Sequence, residues 1–216
     1  MSKLKEMKKT KEQSDSSPIY TIIGIAVILI GIAVVYLALF GSAPVIDLDQ
    51  LEGNGHFKGN PDAQVRIVEF SDFQCPACGF GFDQLQQVLP QYLDKIKLTF
   101  RHMPLSNIHP YAQKAGEASE CAADQDKFWE MHDTLFTNQD NLKIADLKSY
   151  AQQLGLNQEE FDVCLDSSKY ASKVASDFSY GASIGVNSTP TFYVNGEKFS
   201  NLTAEEWKQV LDSRLA

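Results

Sequence analysis

The chain has 216 residues, with 19 Lys and Arg against 28 Asp and Glu, a net charge of −9 and four cysteines. That length holds one well-buried domain with an appendage, and the acidic balance argues against nucleic acid as a partner. The cysteines do not form two CxxC pairs, so the spacing of a four-cysteine zinc site is missing, and neither a metal nor a cofactor is expected.

Residues 1–18 carry Lys3, Lys5, Lys8, Lys9 and Lys11 against Glu6, Glu12 and Asp15, and have too little apolar content for a core. Residues 19–40 are all apolar, Gly, Tyr or Thr, and no charge occurs between Asp15 and Asp47. This predicts a transmembrane helix. A cleaved signal peptide is the alternative, with Gly41 and Ala43 as small residues before a cut. The apolar run exceeds the roughly 7–15 residues of a signal core, however, and Pro44 would hinder cleavage. Lysines on the N-terminal flank hold that end in the cytoplasm, so the expected arrangement is a single-pass cell-membrane protein with its folded domain outside the cytoplasm. Residues 41–60 read as a linker and 61–216 as the domain.

Within that domain, Gln64 to Phe70 alternates as a strand, Cys78 to Tyr92 has helical spacing, and Lys95 to Arg101 alternates again. A strand, helix, strand unit implies parallel pairing. Only helical patterns follow, over Ala112 to Phe136, Ala145 to Leu154, Glu159 to Leu165 and Tyr170 to Ile184, an inserted block over about 108–185. Asn157 and Glu160 suggest a capping box within it. Thr191 to Val194 and Lys198 to Ser200 then flank Asn195-Gly196, a hairpin signal, and Thr203 with Glu206 caps a terminal helix. The predicted fold class is α/β: a thioredoxin-like fold with an inserted helical domain, preceded by one transmembrane helix.

Cys75-Pro76-Ala77-Cys78 falls between a strand and a helix. Unpaired N–H groups and the positive end of the dipole at a helix start favour a thiolate on Cys75, the attacking sulfur, while Cys78 lies one turn deeper as the resolving thiol. Pro76 suits the first turn, where no N–H is needed. A plain disulfide or half of a metal site are the alternatives; an exported strand-CxxC-helix favours redox chemistry. Glu69 shares the face of Ile67, where a buried carboxylate could exchange protons with the deeper thiol; a solvated edge position is its alternative. Thr189-Pro190 opens a strand that the fold would set beside the dithiol, and a cis bond there would offer the Thr189 backbone to an extended substrate. Thr189, Pro76 and Ala77 are thus the substrate-facing candidates.

These segments resemble the DsbA-like thioredoxin oxidoreductases, specifically their membrane-anchored prokaryotic members. The resemblance runs from about Gly59 to the C terminus. It is carried by Val68-Glu69-Phe70, Phe73-Gln74-Cys75-Pro76-Ala77-Cys78, Phe100-Arg101-His102-Met103-Pro104-Leu105, Phe128-Trp129-Glu130-Met131-His132 and Thr189-Pro190-Thr191-Phe192. It implies that Cys75 is the nucleophile, Cys78 the resolving thiol, Glu69 the buried acid and Pro190 the cis-proline. It also implies exported cysteine-containing proteins as substrates and a quinone-linked membrane thiol oxidase that recharges the pair. The best-known oxidant of the family has His where this chain has Ala77, which implies a less oxidising pair here.

Cys121 and Cys164 fall on separate helices of the insertion and are expected to pair as a structural disulfide, given the compartment; two buried thiols or a relay are the alternatives. His102 and His109 receive no role, and Phe128, Trp129 and Met131 read as a core-facing helix side. The leading expectation is oxidation of paired cysteines in exported proteins. A reductase or isomerase of the same fold and a tethered copper(I) metallochaperone are the alternatives.

Overall fold

The computed structural model describes residues 22–32 and 47–216. The chain separates into two units, Met1–Val45 and Ile46–Ala216. In the first, residues 22–32 form a helix, α1, whose isoleucines, Val27 and Leu29 are all more than half exposed. Among the described residues no helix is long and apolar enough to cross a membrane. The predicted span 19–40 extends beyond α1 on both sides into residues outside those described, as does the basic tail 1–18.

The second unit opens with helix α2 (Leu48–Glu52), capped by the Asp47 carboxylate on the N–H of Asp49, and strand β1 (His56–Gly59). This corrects the linker expected over 41–60: β1 pairs antiparallel with the strand Ile96–His102, and Leu51 is fully buried. The short strand is only partly buried and is flanked by turn formers, Gly53, Asn54 and Gly55 before it and Asn60 and Pro61 after it, which hid it from a pattern reading.

β2 (Val65–Ser71), helix α3 (Pro76–Val88) and β3 (Ile96–His102) form the expected parallel unit. α3 stops short of Tyr92, passing into a 3₁₀ turn over Leu89–Gln91, because Pro90 has no N–H to continue the ladder. β4 (Thr191–Val194) and β5 (Glu197–Phe199) form the hairpin, with Asn195 and Gly196 both at positive φ, as a tight two-residue turn requires. The sheet order is β1-β3-β2-β4-β5.

Helices α4 (Ala112–Ala123), α5 (Phe128–Thr137), α6 (Ile144–Gln153), α7 (Gln158–Asp166) and α8 (Ala171–Ser183) make the inserted block, and α9 (Ala204–Leu215) closes the chain with the complete Thr203/Glu206 capping box. The single helical run expected over Ala112 to Phe136 is two helices, broken at Asp124–Lys127, where Asp126 takes a left-handed φ of 58°.

Strand alternation sorts the core into layers. Val65 and Ile67 face Leu85 and Val88 of α3 and Trp207 and Leu211 of α9. Val68 and Phe70 face Leu51, Met103 and Val186 on the opposite side. A third cluster, built around Met131, Leu135, Leu147 and Phe161 of the helical block, reaches across to Phe73, Cys75 and Cys78. The dithiol therefore sits where the sheet meets the insertion.

Candidate functional site: a dithiol at a helix start

Cys75 is the N-cap of α3, with extended backbone (φ −75°, ψ 121°), and Pro76 occupies the first helical position. Both Cys75 and Cys78 are free thiols; Cys78 is fully buried and Cys75 is 7% exposed. The Cys78 thiol and the N–H groups of Cys78 and Ala77 converge on the Cys75 sulfur and draw its pKa down to about 5. Burial and the adjacent Cys75 sulfur push Cys78 the other way, well above the usual thiol range. The two thiols of one motif are thus held in opposite protonation states near neutral pH. The N–H of Asp72 donates to the Cys78 sulfur at 3.5 Å.

The Thr189–Pro190 peptide bond is cis, and the Thr189 carbonyl oxygen lies 3.6 Å from Cys75 Sγ. Glu69 is 4% exposed, on the α3 side of β2, and burial raises its carboxyl to about 7. The solvated-edge alternative for Glu69 is excluded by that burial. Cys121 of α4 and Cys164 of α7 are joined as a disulfide, across a sequence separation of 43. The structure therefore brings Cys75, Cys78, Pro76, Ala77, Thr189 and Pro190 together, with Glu69 on the face below and the second cysteine pair apart in the helical block.

Other residues hold this arrangement, and sequence reading missed them. Gln139, just beyond α5, donates one amide to the carbonyls of both Phe73 and Cys75 at 2.9 Å. A Cβ at Gly79 would run into that side chain, so Gly79 makes room for the clamp. Asn201 donates to the Ala77 carbonyl at 2.8 Å and sits against Gly81, beside Pro190. The Asp72 carboxylate accepts from the N–H groups of Gln74 and Leu105 and contacts His109 Nδ1 at 2.8 Å, which ties the loop before Cys75 to the segment after β3. His102, for its part, pairs with Glu120 at 2.8 Å. Only Asp72, three residues ahead of Cys75, left a local signal; Gln139 and Asn201 arrive from distant segments.

Residues 51–213 match the thioredoxin family. The chain belongs to the thioredoxin family. Its architecture is that of BdbD from Bacillus subtilis, with 28% identity, a TM-score of 0.65 and coverage of 74% of this chain and 92% of that one. The thiol-disulfide exchange protein alpha-DsbA2 from Wolbachia pipientis shares the fold at a TM-score of 0.68, with 18% identity over 77% of this chain and 90% of its own. Among curated sequences this chain is similar to Na(+)/H(+) antiporter NhaA 3 of Salinispora tropica, at 42% identity over 143 residues, 66% of this chain and 22% of that protein. The chain thus spans less than a quarter of the length of this relative.

Proposed function

We propose that this chain is a thiol-disulfide oxidoreductase of the DsbA type, an extracytoplasmic, membrane-anchored oxidant that introduces disulfides into exported proteins. Cys75 is the nucleophile and mixed-disulfide sulfur, Cys78 resolves, and Glu69 handles the proton of the deeper thiol. The observation that carries the direction is the Cys75 sulfur at the start of α3, whose surroundings favour its thiolate. Stabilising the thiolate stabilises the reduced protein, and a stable reduced form makes the disulfide form a good electron acceptor. A membrane thiol oxidase linked to quinone recharges the pair.

The anchor reading is supported by the uncharged run 19–40 and by α1, whose apolar side chains are uncovered on every face. The proposed function rests on the thioredoxin-fold unit and its dithiol. The antiporter name belongs to a protein most of whose length has no counterpart in the aligned residues.

The deciding experiment is the equilibrium reduction potential of Cys75–Cys78. A potential of about −120 to −180 mV is expected, on the less oxidising side of that range because Ala77 supplies no cation. A potential near −270 mV would identify an electron donor and overturn the oxidant reading. Protease protection of the folded domain in right-side-out membrane vesicles would refute the extracytoplasmic placement.

A further inference from the structure

Beneath the dithiol, three buried polar atoms have no hydrogen-bond partner: Ser71 Oγ, Glu69 Oε1 and His132 Nε2. A buried polar group left unpaired is destabilising, so three together call for a reason. Glu69 and Ser71 are two residues apart on β2 and share the face that α3 covers. Ser71 lies in the chain between Glu69 and Asp72, whose N–H donates to Cys78 Sγ at 3.5 Å; burial raises both the Glu69 carboxyl and the Cys78 thiol, and the Ser71 hydroxyl counters both.

Glu69 and His132 line one small cavity with Lys58, Phe82 and Gln86, whose volume open to a water molecule is about 10 Å³. That is the size of a one-water site, provided polar groups surround it. The other ring nitrogen of His132, Nδ1, lies 2.8 Å from the carboxylate of Asp133, whose side chain is 46% exposed. An imidazole that donates through Nδ1 presents Nε2 as an acceptor. Burial holds His132 down to about 4, so the ring is neutral at working pH.

We propose that these groups form a proton path, from Cys78 through Ser71 and Glu69, across one water in the cavity, to His132 and out to solvent at Asp133. The inserted helical block then does more than cover the sheet: α5 supplies the outer half of the path. The proposal rests on thiol-disulfide exchange at Cys75–Cys78 and holds for either direction of electron flow. The ionisable groups facing the path are Lys58 from β1, His102 from β3 and Asp133 from α5, with Lys58 Nζ 4.0 Å from Asp133.

The step that uses it is closure of the disulfide. With Cys75 in a mixed disulfide with a partner thiol, the Cys78 S–H bond breaks and the Cys78–Cys75 bond forms. The bond from Cys75 to the partner breaks, and its electron pair leaves on the partner sulfur as thiolate. The enzyme dithiol is oxidised and the partner disulfide reduced. The Cys78 proton passes by way of Ser71 to the Glu69 carboxylate, then through the water to His132 Nε2, while the Nδ1 proton moves to Asp133. In the opposite direction Cys78 leaves as a thiolate and draws a proton back along the same groups. A carboxyl that titrates near neutral pH can both take and release that proton.

The test is the rate at which the full-length, detergent-solubilised protein closes its disulfide from a Cys75–glutathione mixed disulfide, between pH 5.5 and 8.5. His132→Phe is expected to slow closure at pH 7 by at least roughly tenfold and to alter the pH profile. The Glu69→Gln/His132→Phe double variant is expected to be no slower than the slower single variant. An unchanged rate and profile in His132→Phe, or losses that multiply in the double variant, would overturn the path. Should His132→Phe fail to fold, Asp133→Asn, at a half-buried position, and Ser71→Ala carry the same test, and unaltered profiles in both refute it. A parent protein that forms the mixed disulfide but never closes it would instead refute the resolving role of Cys78.

Discussion

Cys75 Sγ lies 3.6 Å from the carbonyl oxygen of Thr189, and the two meet across a separation of 114 residues. The nucleophile candidate therefore touches the backbone that the proposed function offers to an extended substrate, while its own thiol ionises far below the ordinary thiol range, at about 5. Alkylation of the reduced protein should show an inflection near pH 5 for Cys75 and leave Cys78 unmodified through pH 8. An inflection above pH 8 for Cys75 would contradict the arrangement.

The same depressed pKa makes a linkage prediction. Above about pH 5 the folded reduced protein has lost the Cys75 proton, whereas the unfolded chain keeps it to about 8.5. The unfolded state then binds more protons, so the stability gained from this group rises between those values and is lost as pH falls through 5. The oxidised protein has no such titration. Denaturant unfolding of the two forms should show the reduced form gaining on the oxidised form from pH 5 to 8; parallel pH dependences would refute this.

Glu69 works with the opposite sign. Its folded pKa, about 7, lies above the unfolded carboxyl value of about 4.3, so its favourable contribution is complete below 4.3 and disappears as pH rises through 7. Glu69→Gln removes that decline. Relative to the parent, the variant should be more stable at pH 8 than at pH 5, by a change on the order of 3 kcal/mol, read from urea unfolding at the two pH values.

The Cys121–Cys164 disulfide ties α4 to α7 and closes a loop with a separation of 43 residues. The chain-entropy model assigns such a cross-link about 4 kcal/mol. Replacing both cysteines with Ala should lower unfolding free energy by roughly 2–4 kcal/mol while leaving the reduction potential of the Cys75 pair in place. A shifted potential would mean the two pairs communicate.

Asp177 is fully buried and accepts from Arg101 Nε at 2.8 Å, Lys173 Nζ at 2.7 Å and the His102 N–H at 3.3 Å. Arg101 in turn donates to the Leu51 carbonyl and lies over Tyr180. Asp177→Ala would strand a buried guanidinium, so a loss of about 3–5 kcal/mol is expected, measurable by thermal or urea unfolding. Asp177→Asn should cost less, because it keeps hydrogen-bond acceptance.

Much of this molecule is written locally. Alternation in Val65 to Phe70 and Ile96 to Phe100, the CPAC motif at a helix start, Asn195-Gly196 and the Thr203/Glu206 box each depend on neighbours in the chain, so residue order alone determined the elements and the dithiol. Side-chain period also put Glu69 on the face of Ile67, although only packing could show that this face is closed to water. What the tertiary structure decided is everything that spans distance. β1 owes its place to pairing with β3 and had no strong pattern of its own. Gln139, Asn201 and Thr189 approach the dithiol from segments 64 to 124 residues away, and His132 meets Glu69 through a cavity between a strand and an inserted helix. Local periodicity records which way a side chain faces within its own element. The partner it meets, and the dielectric in which they meet, are fixed only when the layers close.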